Sequence, residues 1–279
     1  MKIPAYISHT ILDPKLKVLL NSILLIVIVV FQTESLATTA MVSVISVSEN
    51  VYILNSDTQG TNIGLLNTNE GLVLIDPMPG DEHLDALNAV IEEKFIKPVK
   101  YILNTHNHSD HAGGNEYFIK RGSMLLESTM ELPEIGSIVV NSHTAKDKIF
   151  FHAKSNSIFV GDVYDTSWHP TFYAGGVSGF MHAIEQILSL GDEKSIIIPG
   201  HGKPANKAGL RAFRNNTLKW ITKVKELKQK GMTVIEMKNN SQLNTILEQF
   251  NSEDKANFLP EKALIRFIER TLVVIKGDV

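Results

Sequence analysis

The stretch Asn104-Thr105-His106-Asn107-His108-Ser109-Asp110-His111-Ala112-Gly113-Gly114 decides how this chain is read. Three histidines and an aspartate fall within six residues, directly after the apolar run Val99 to Asn104. Side chains alternate with period two in an extended segment, so His106 and His108 point the same way. Asp110 and His111 lie past a turn and can aim at a second point nearby. One segment therefore offers two ligands to each of two metal ions. A solvated polar cluster has no need of four ligand-type residues at this spacing behind a buried strand. Gly113 and Gly114 let the backbone pack tightly behind the loop.

Upstream, short apolar runs alternate with turn residues. Val42 to Val47, Asn50 to Leu54, Asn62 to Asn67 and Gly71 to Asp76 read as strands of an antiparallel meander. Glu82 to Phe95 has helical spacing, with Leu84, Leu87, Val90 and Ile91 on one side. Downstream, a helix is expected near Ala112. Strands follow at Ser137 to Asn141, Lys148 to His152 and Ser157 to Gly161. Gly179 to Leu190 reads as a helix and Ser195 to Pro199 as a short buried strand. After Pro204 helices dominate, with Leu210, Phe213, Leu218, Ile221, Val224 and Leu227 keeping a 3.6 period. The sequence of strands, helix, strand and loop occurs twice, around 42–111 and 137–201. That predicts an α/β fold of two sheets with helices outside, a four-layer αββα sandwich.

The histidine cluster resembles the metallo-β-lactamase superfamily, whose signature is His-x-His-x-Asp-His at the end of a strand. Further motifs agree in order: Leu74-Ile-Asp76 after an apolar strand, His143-Thr144, Gly161-Asp162, and Pro199-Gly-His201-Gly. The likeness covers roughly Val42 to Pro204. It implies that His106, His108 and His143 hold a first zinc, that Asp110, His111 and His201 hold a second, and that Asp162 bridges them. Asp110 would also orient the metal-bound water, and Asp76 would brace the histidine loop without touching metal. Imidazole and carboxylate suit zinc, and the chain has no cysteine to supply a thiolate. The oxygen-reducing di-iron branch has Glu where this chain has His108, and thiolate-type lactamases have Cys where it has Asp162. The resemblance therefore implies a zinc hydrolase of the Asp-bridged type with two ions per chain. A metal-bound hydroxide would attack the carbonyl of an amide, thioester or lactone, β-lactams included. The enzymatic alternative is a mononuclear iron oxidoreductase using His106, His143 and Asp162. The non-enzymatic one is a metal-binding protein with a truncated pocket and little activity.

That last alternative arises because residues 112–142, between His111 and His143, form a shorter stretch than in hydrolases of this family. Either the pocket is open, or Trp168-His169-Pro-Thr-Phe-Tyr173 covers it, or it is truncated. Of the remaining histidines, His83 is expected in solvent, and His152 is a weaker candidate ligand than His143. His169 and His182 are expected as loop and helix residues near the mouth.

At the N-terminus, Lys15 and Lys17 precede the apolar run Val18 to Phe31, followed by Ser35-Leu36-Ala37. This is the layout of a secretory signal, with an uncleaved membrane anchor as the alternative. Residues 1–40 are therefore set apart from a domain over 41–279, whose helical extension starts near 205. The expectation is an exported protein, periplasmic or secreted. The formal net charge of −3 advertises no nucleic-acid partner. From Ala205 on, 14 Lys and Arg face 8 Asp and Glu. That excess reads as a solvated helix face, or as a peripheral membrane contact alongside the N-terminal segment. The expected partner is a small-molecule substrate.

Overall fold

The computed structural model describes residues 42–56, 60–126 and 132–277. The leader read over residues 1–40, with His9 in it, lies outside the described residues.

The first sheet holds β1 (Val42–Ser48), β2 (Val51–Ser56), β3 (Ile63–Thr68), β4 (Gly71–Ile75), β5 (Val99–Leu103) and β6 (Met124–Leu125), in that order. Its first four strands form the expected antiparallel meander, while β4, β5 and β6 run parallel. The crossover from β4 to β5 carries α1 (Leu84–Phe95). After β5 come two short helices, α2 (Ser109–Ala112) and α3 (Asn115–Ile119). The second sheet has the order β11-β10-β9-β8-β7. Its strands are β7 (Ile135–Val140), β8 (Asp147–His152), β9 (Ser157–Gly161), β10 (Ile196–Pro199) and β11 (Ala205–Asn206). Here β9 and β10 are the parallel pair, and α4 (Gly176–Ser189) makes their crossover. The C-terminal part is helical: α5 (Lys207–Gln229), α6 (Val234–Lys238), α7 (Ser241–Glu248) and α8 (Glu261–Gly277). Among the described residues, no helix is long and apolar enough to cross a membrane.

The strands read as continuous apolar runs because both of their faces are buried. In β4, Leu72 and Leu74 pack with Leu87, Ile91 and Phe118 of the helices outside, while Val73 and Ile75 face the second sheet. In β9, Phe159 joins that same inter-sheet core, and Ile158 and Val160 pack outward with Phe180, Ile184 and Trp220. Three separate cores between four layers follow, which is the αββα sandwich expected from the alternation.

Helix α8 is held by α5. The Trp220 indole stacks on Phe267 with ring centroids 4.2 Å apart, and its Nε1 donates to Thr271 Oγ1 at 3.0 Å. The buried residues Leu264, Phe267, Ile268 and Thr271 recur at helical spacing on the face of α8 that meets the core. Part of the basic charge on and just after α5 is paired. Arg211 meets Glu193, Glu226 is shared by Lys223 and Lys230, and the buried Lys207 ammonium donates to Leu188 O.

Candidate metal centre

Parallel pairing sets neighbouring strand ends side by side. In the first sheet Ile75 pairs with Leu103, so Asp76 and the loop from Asn104 leave the sheet together. In the second, Pro199 pairs with Gly161, so Asp162 and His201 do the same. His143 comes from the connection between β7 and β8. Seven residues spread over almost a hundred positions thus converge at one edge of the sandwich.

They form two clusters sharing one member. His106, His108, His143 and Asp162 make the first, and Asp110, His111, Asp162 and His201 the second. In the first, His108 Nδ1 lies 3.1 Å from His106 Nε2 and 3.0 Å from His143 Nε2. Asp162 Oδ2 stands 4.0 Å and 3.6 Å from those two Nε2 atoms. In the second, Asp162 Oδ1 lies 3.2 Å from His111 Nε2 and 3.5 Å from His201 Nε2. Asp110 Oδ2 is 3.8 Å from His111 Nε2 and 3.4 Å from His201 Nε2. A tetrahedral zinc with bonds of about 2.0–2.1 Å needs neighbouring donors roughly 3.3–3.4 Å apart, and both clusters bracket that spacing. Furthermore, His111 Nε2 and Asp162 Oδ1 are buried without a hydrogen-bond partner. Buried polar atoms rarely stay unpaired, and metal coordination is a standard resolution. The donor set therefore fits two metal ions.

The supporting contacts fix which ring nitrogen faces the ions. Asp76 Oδ2 accepts a hydrogen bond from His111 Nδ1 at 2.9 Å, so Nε2 is left for the second cluster. Thr105 ties the same carboxylate to the loop, its N donating to Oδ1 at 2.8 Å and its Oγ1 to Oδ2 at 2.6 Å. Thr171 Oγ1 does the same service for His143 Nδ1 at 2.6 Å. Thr61 Oγ1 donates to the Asp110 carbonyl and ties α2 to the turn before β3. Asp147 accepts from Ser142 N, Thr144 N and Thr144 Oγ1, shaping the turn that presents His143. Two glycines permit close approach. A Cβ on Gly114 would lie 1.6 Å from the Pro77 carbonyl oxygen, and one on Gly200 would lie 2.1 Å from Asp162 Oδ1.

The electrostatics divide the clusters. Burial, aided by the charge of His111, pushes His106 down to about 4, and burial also lowers His143, so both are neutral ligands near pH 7. Burial disfavours charge on His111 too, but the facing carboxylates of Asp162 and Asp76 raise it to about 11. At His201 burial is likewise outweighed, chiefly by Asp110, and it rises to about 9. Burial opposes charge on Asp162, yet His111, His201 and His143 hold it well below the usual carboxylate range. The His201 contact lowers Asp110 to about 2. The second cluster thus holds its carboxylates ionised and calls for positive charge, which a cation supplies in place of those protons.

The sequence-predicted ligands His106, His108, Asp110, His111, His143, Asp162 and His201 all meet here, and Asp76 braces without reaching either cluster. His152 does not join them; its Nδ1 is 2.6 Å from Ser155 Oγ. His83 is largely covered, with Glu82 at 3.5 Å, rather than free in solvent. His182 is exposed on α4, and His169 is buried against Phe267. Thr171, Thr61 and Asp147 were not singled out from sequence. Only Asp147 leaves a signal there, the Thr144-Ala-Lys-Asp147 spacing of a side-chain-capped turn.

Residues 57–129 match the family model of the metallo-beta-lactamase superfamily. A probable hydroxyacylglutathione hydrolase of Schizosaccharomyces pombe is 31% identical over 135 residues, 40% of this chain and 53% of that protein. A metallo-beta-lactamase type 2 of Bacillus sp. (strain 170) is 26% identical over 206 residues, 61% of this chain and 79% of that one. The chain thus spans about half the length of the first relative and more of the second. Among solved structures, a metallo-beta-lactamase from Pontibacter korlensis superposes with a TM-score of 0.53 at 19% identity, covering 63% of this chain and 98% of that one. The metallo-beta-lactamase FIM-1 from Pseudomonas aeruginosa, in its mono-zinc form, gives 0.55 at 15% identity, covering 62% and 93%. The fold is an αββα sandwich with two His/Asp clusters at one edge, and these solved metallo-beta-lactamases share that fold. Residues 57–129 of the chain are thus similar to the metallo-beta-lactamase superfamily.

Proposed function

We propose that the chain is an exported, zinc-dependent hydrolase acting on the carbonyl of a small amide, thioester or lactone. One observation carries the reading: the two oxygens of Asp162 each belong to a different four-residue cluster, so one carboxylate serves two ions. Zinc bound there would supply Lewis acidity and an acidified water. The protein's own groups do the rest. Asp162 and Asp76 fix the imidazoles, and half-exposed Asp110 turns Oδ2 to His201, where it can orient a water by hydrogen bonding. Exposed His108 and Asp110 leave this edge of the site open to an incoming substrate. Net hydrolysis adds water across the bond: the oxygen joins the carbonyl carbon, the bond to nitrogen, sulfur or oxygen breaks, and the leaving group takes a proton. The names of the relatives, hydroxyacylglutathione hydrolase and metallo-beta-lactamase, support hydrolysis of a carbonyl compound without choosing between them. Export rests on the sequence of residues 15–37 alone, and cell fractionation tests it.

The test is metal analysis of the purified full chain together with a panel of a chromogenic cephalosporin, a thioester and a lactone. Two zinc ions per chain and turnover of at least one substrate, abolished by His108→Ala, are expected. A single tightly held iron would support the oxidoreductase reading instead. Full zinc without turnover would support a metal-binding protein.

A further inference from the structure

A cavity of about 450 Å³ opens between the loop after β9 and helix α8, within the usual range for small-molecule sites. Its walls include Trp168, Thr171 and Tyr173 from the loop and Lys262, Arg266 and Arg270 from the helix. Thr171 belongs to two places at once. It lines this cavity, and its Oγ1 holds His143 Nδ1 at 2.6 Å. The cavity therefore adjoins the first metal cluster with one residue between.

Its charge is one-sided. Lys262, Arg266 and Arg270 recur every four residues, so they form one exposed stripe on α8. No acidic side chain lines the cavity, and none of the three cations meets a carboxylate among the described residues. Like charges at this spacing cost a helix a few tenths of a kcal/mol per pair, so helix stability does not favour the arrangement. Arg270 lies 4.7 Å over the Tyr173 ring, which orders its guanidinium at the cavity. The Tyr173 hydroxyl is buried without a partner, and burial holds its phenol protonated, a donor for an acceptor. Two guanidiniums, an ammonium and a phenol are donors to an anionic oxygen group.

We propose that this cavity is the second half of the substrate site, and that the substrate carries an anionic oxygen group, carboxylate or phosphate, distant from its scissile carbonyl. The inference rests on the hydrolase reading for the word substrate. The cationic cavity itself stands without it. The carbonyl lies at the metal clusters, the anion lies against α8, and the Trp168 and Tyr173 rings pack on the segment between.

The experiment compares the phenyl monothioester of sebacic acid with the phenyl thioester of decanoic acid, followed by thiol release on the zinc-loaded full chain and on R266Q/R270Q. Calorimetric titration of succinate and of inorganic phosphate accompanies it. The sebacyl compound should be preferred, and the double substitution should cut the sebacyl-to-decanoyl ratio of kcat/KM about tenfold, mainly through KM. Binding of succinate or phosphate should weaken similarly, and the stronger of the two identifies the anion. Equal use of both thioesters by wild type and variant, with anion binding unaffected, would overturn the proposal. If neither thioester is hydrolysed, the hydrolase reading fails on this pair and binding decides the cavity. Succinate or phosphate binding that is lost in R266Q/R270Q then upholds the anion site, and no binding of either to wild type overturns it.

Discussion

His111 Nδ1 lies 2.9 Å from Asp76 Oδ2, and this contact decides that Nε2 is the nitrogen offered to the second metal cluster. The Asp76 carboxylate can only accept, so the proton must sit on Nδ1. In Asp76→Asn an amide NH2 facing His111 would reverse the tautomer and turn a proton toward the ion. The opposite amide orientation would leave Thr105 N without its acceptor. We expect second-site metal affinity to fall by about 10–100-fold, with the first site largely retained. Stepwise zinc titration of wild type and variant checks this. Unchanged affinity at both steps would show that Asp76 does not govern the ring.

Gly200 packs directly behind Asp162. A methyl group there would meet Asp162 Oδ1 at 2.1 Å and His111 Cε1 at 3.0 Å. The carboxylate shared by both clusters would have to move. Gly200→Ala should therefore reduce bound zinc below two per chain and abolish turnover, while the circular dichroism of the folded chain persists. Full metal content and wild-type rates in this variant would contradict the close approach.

What sequence could and could not show follows from distance along the chain. His106, His108, Asp110 and His111 were legible because they sit on one segment whose geometry is local. Leu74 to Asp76 and Ser157 to Asp162 were legible because strands buried on both faces read as apolar runs ending in acids. The contact of Thr171 with His143 was not, because 28 residues separate them and only tertiary packing joins them. Strands β6 and β11, two residues each, carry no periodicity to detect. Helix α4 starts at Gly176 rather than Gly179, within a glycine-rich stretch that sequence reading assigns to loop. Residues 112–142 read as short. They hold one small helix, α3, and the edge strands β6 and β7 on either side of the undescribed residues 127–131. The cavity wall is supplied instead by Trp168 to Tyr173 with α8, a pairing of segments about ninety residues apart.

Chelation should lower thermal stability. The second cluster gathers Asp110 and Asp162 around His111 and His201, and a bound cation relieves the burial of the Asp162 carboxylate. Zinc at a hundredfold excess over its dissociation constant stabilises the folded chain by about 2.7 kcal/mol. For a chain of this size that is a Tm shift of roughly 5–10 °C. EDTA should remove that increment and zinc restore it, whereas magnesium should not, because imidazole dominates the donor set. A Tm indifferent to EDTA, on protein shown to have held zinc, would count against the sites as built.

His169 gives a pH dependence of known sign. Its ring stacks on Phe267 with centroids 4.1 Å apart, and its Nδ1 lies 2.9 Å from Pro170 O. Burial pushes it down from 6.5 to about 4. The unfolded chain takes up a proton near 6.5, while the folded chain does so only near 4. Between those values the unfolded state binds more protons, so stability falls as pH falls. The contribution is fully present above 6.5 and lost progressively toward 4, reaching about 3 kcal/mol. His169→Phe keeps a ring on Phe267 and cannot titrate. Urea unfolding with EDTA at pH 7.5, 6, 5 and 4.5 should show the wild type losing stability faster than this variant, with the gap opening below about 6.5. Parallel curves would mean that His169 is protonated in the folded state as readily as in the unfolded one.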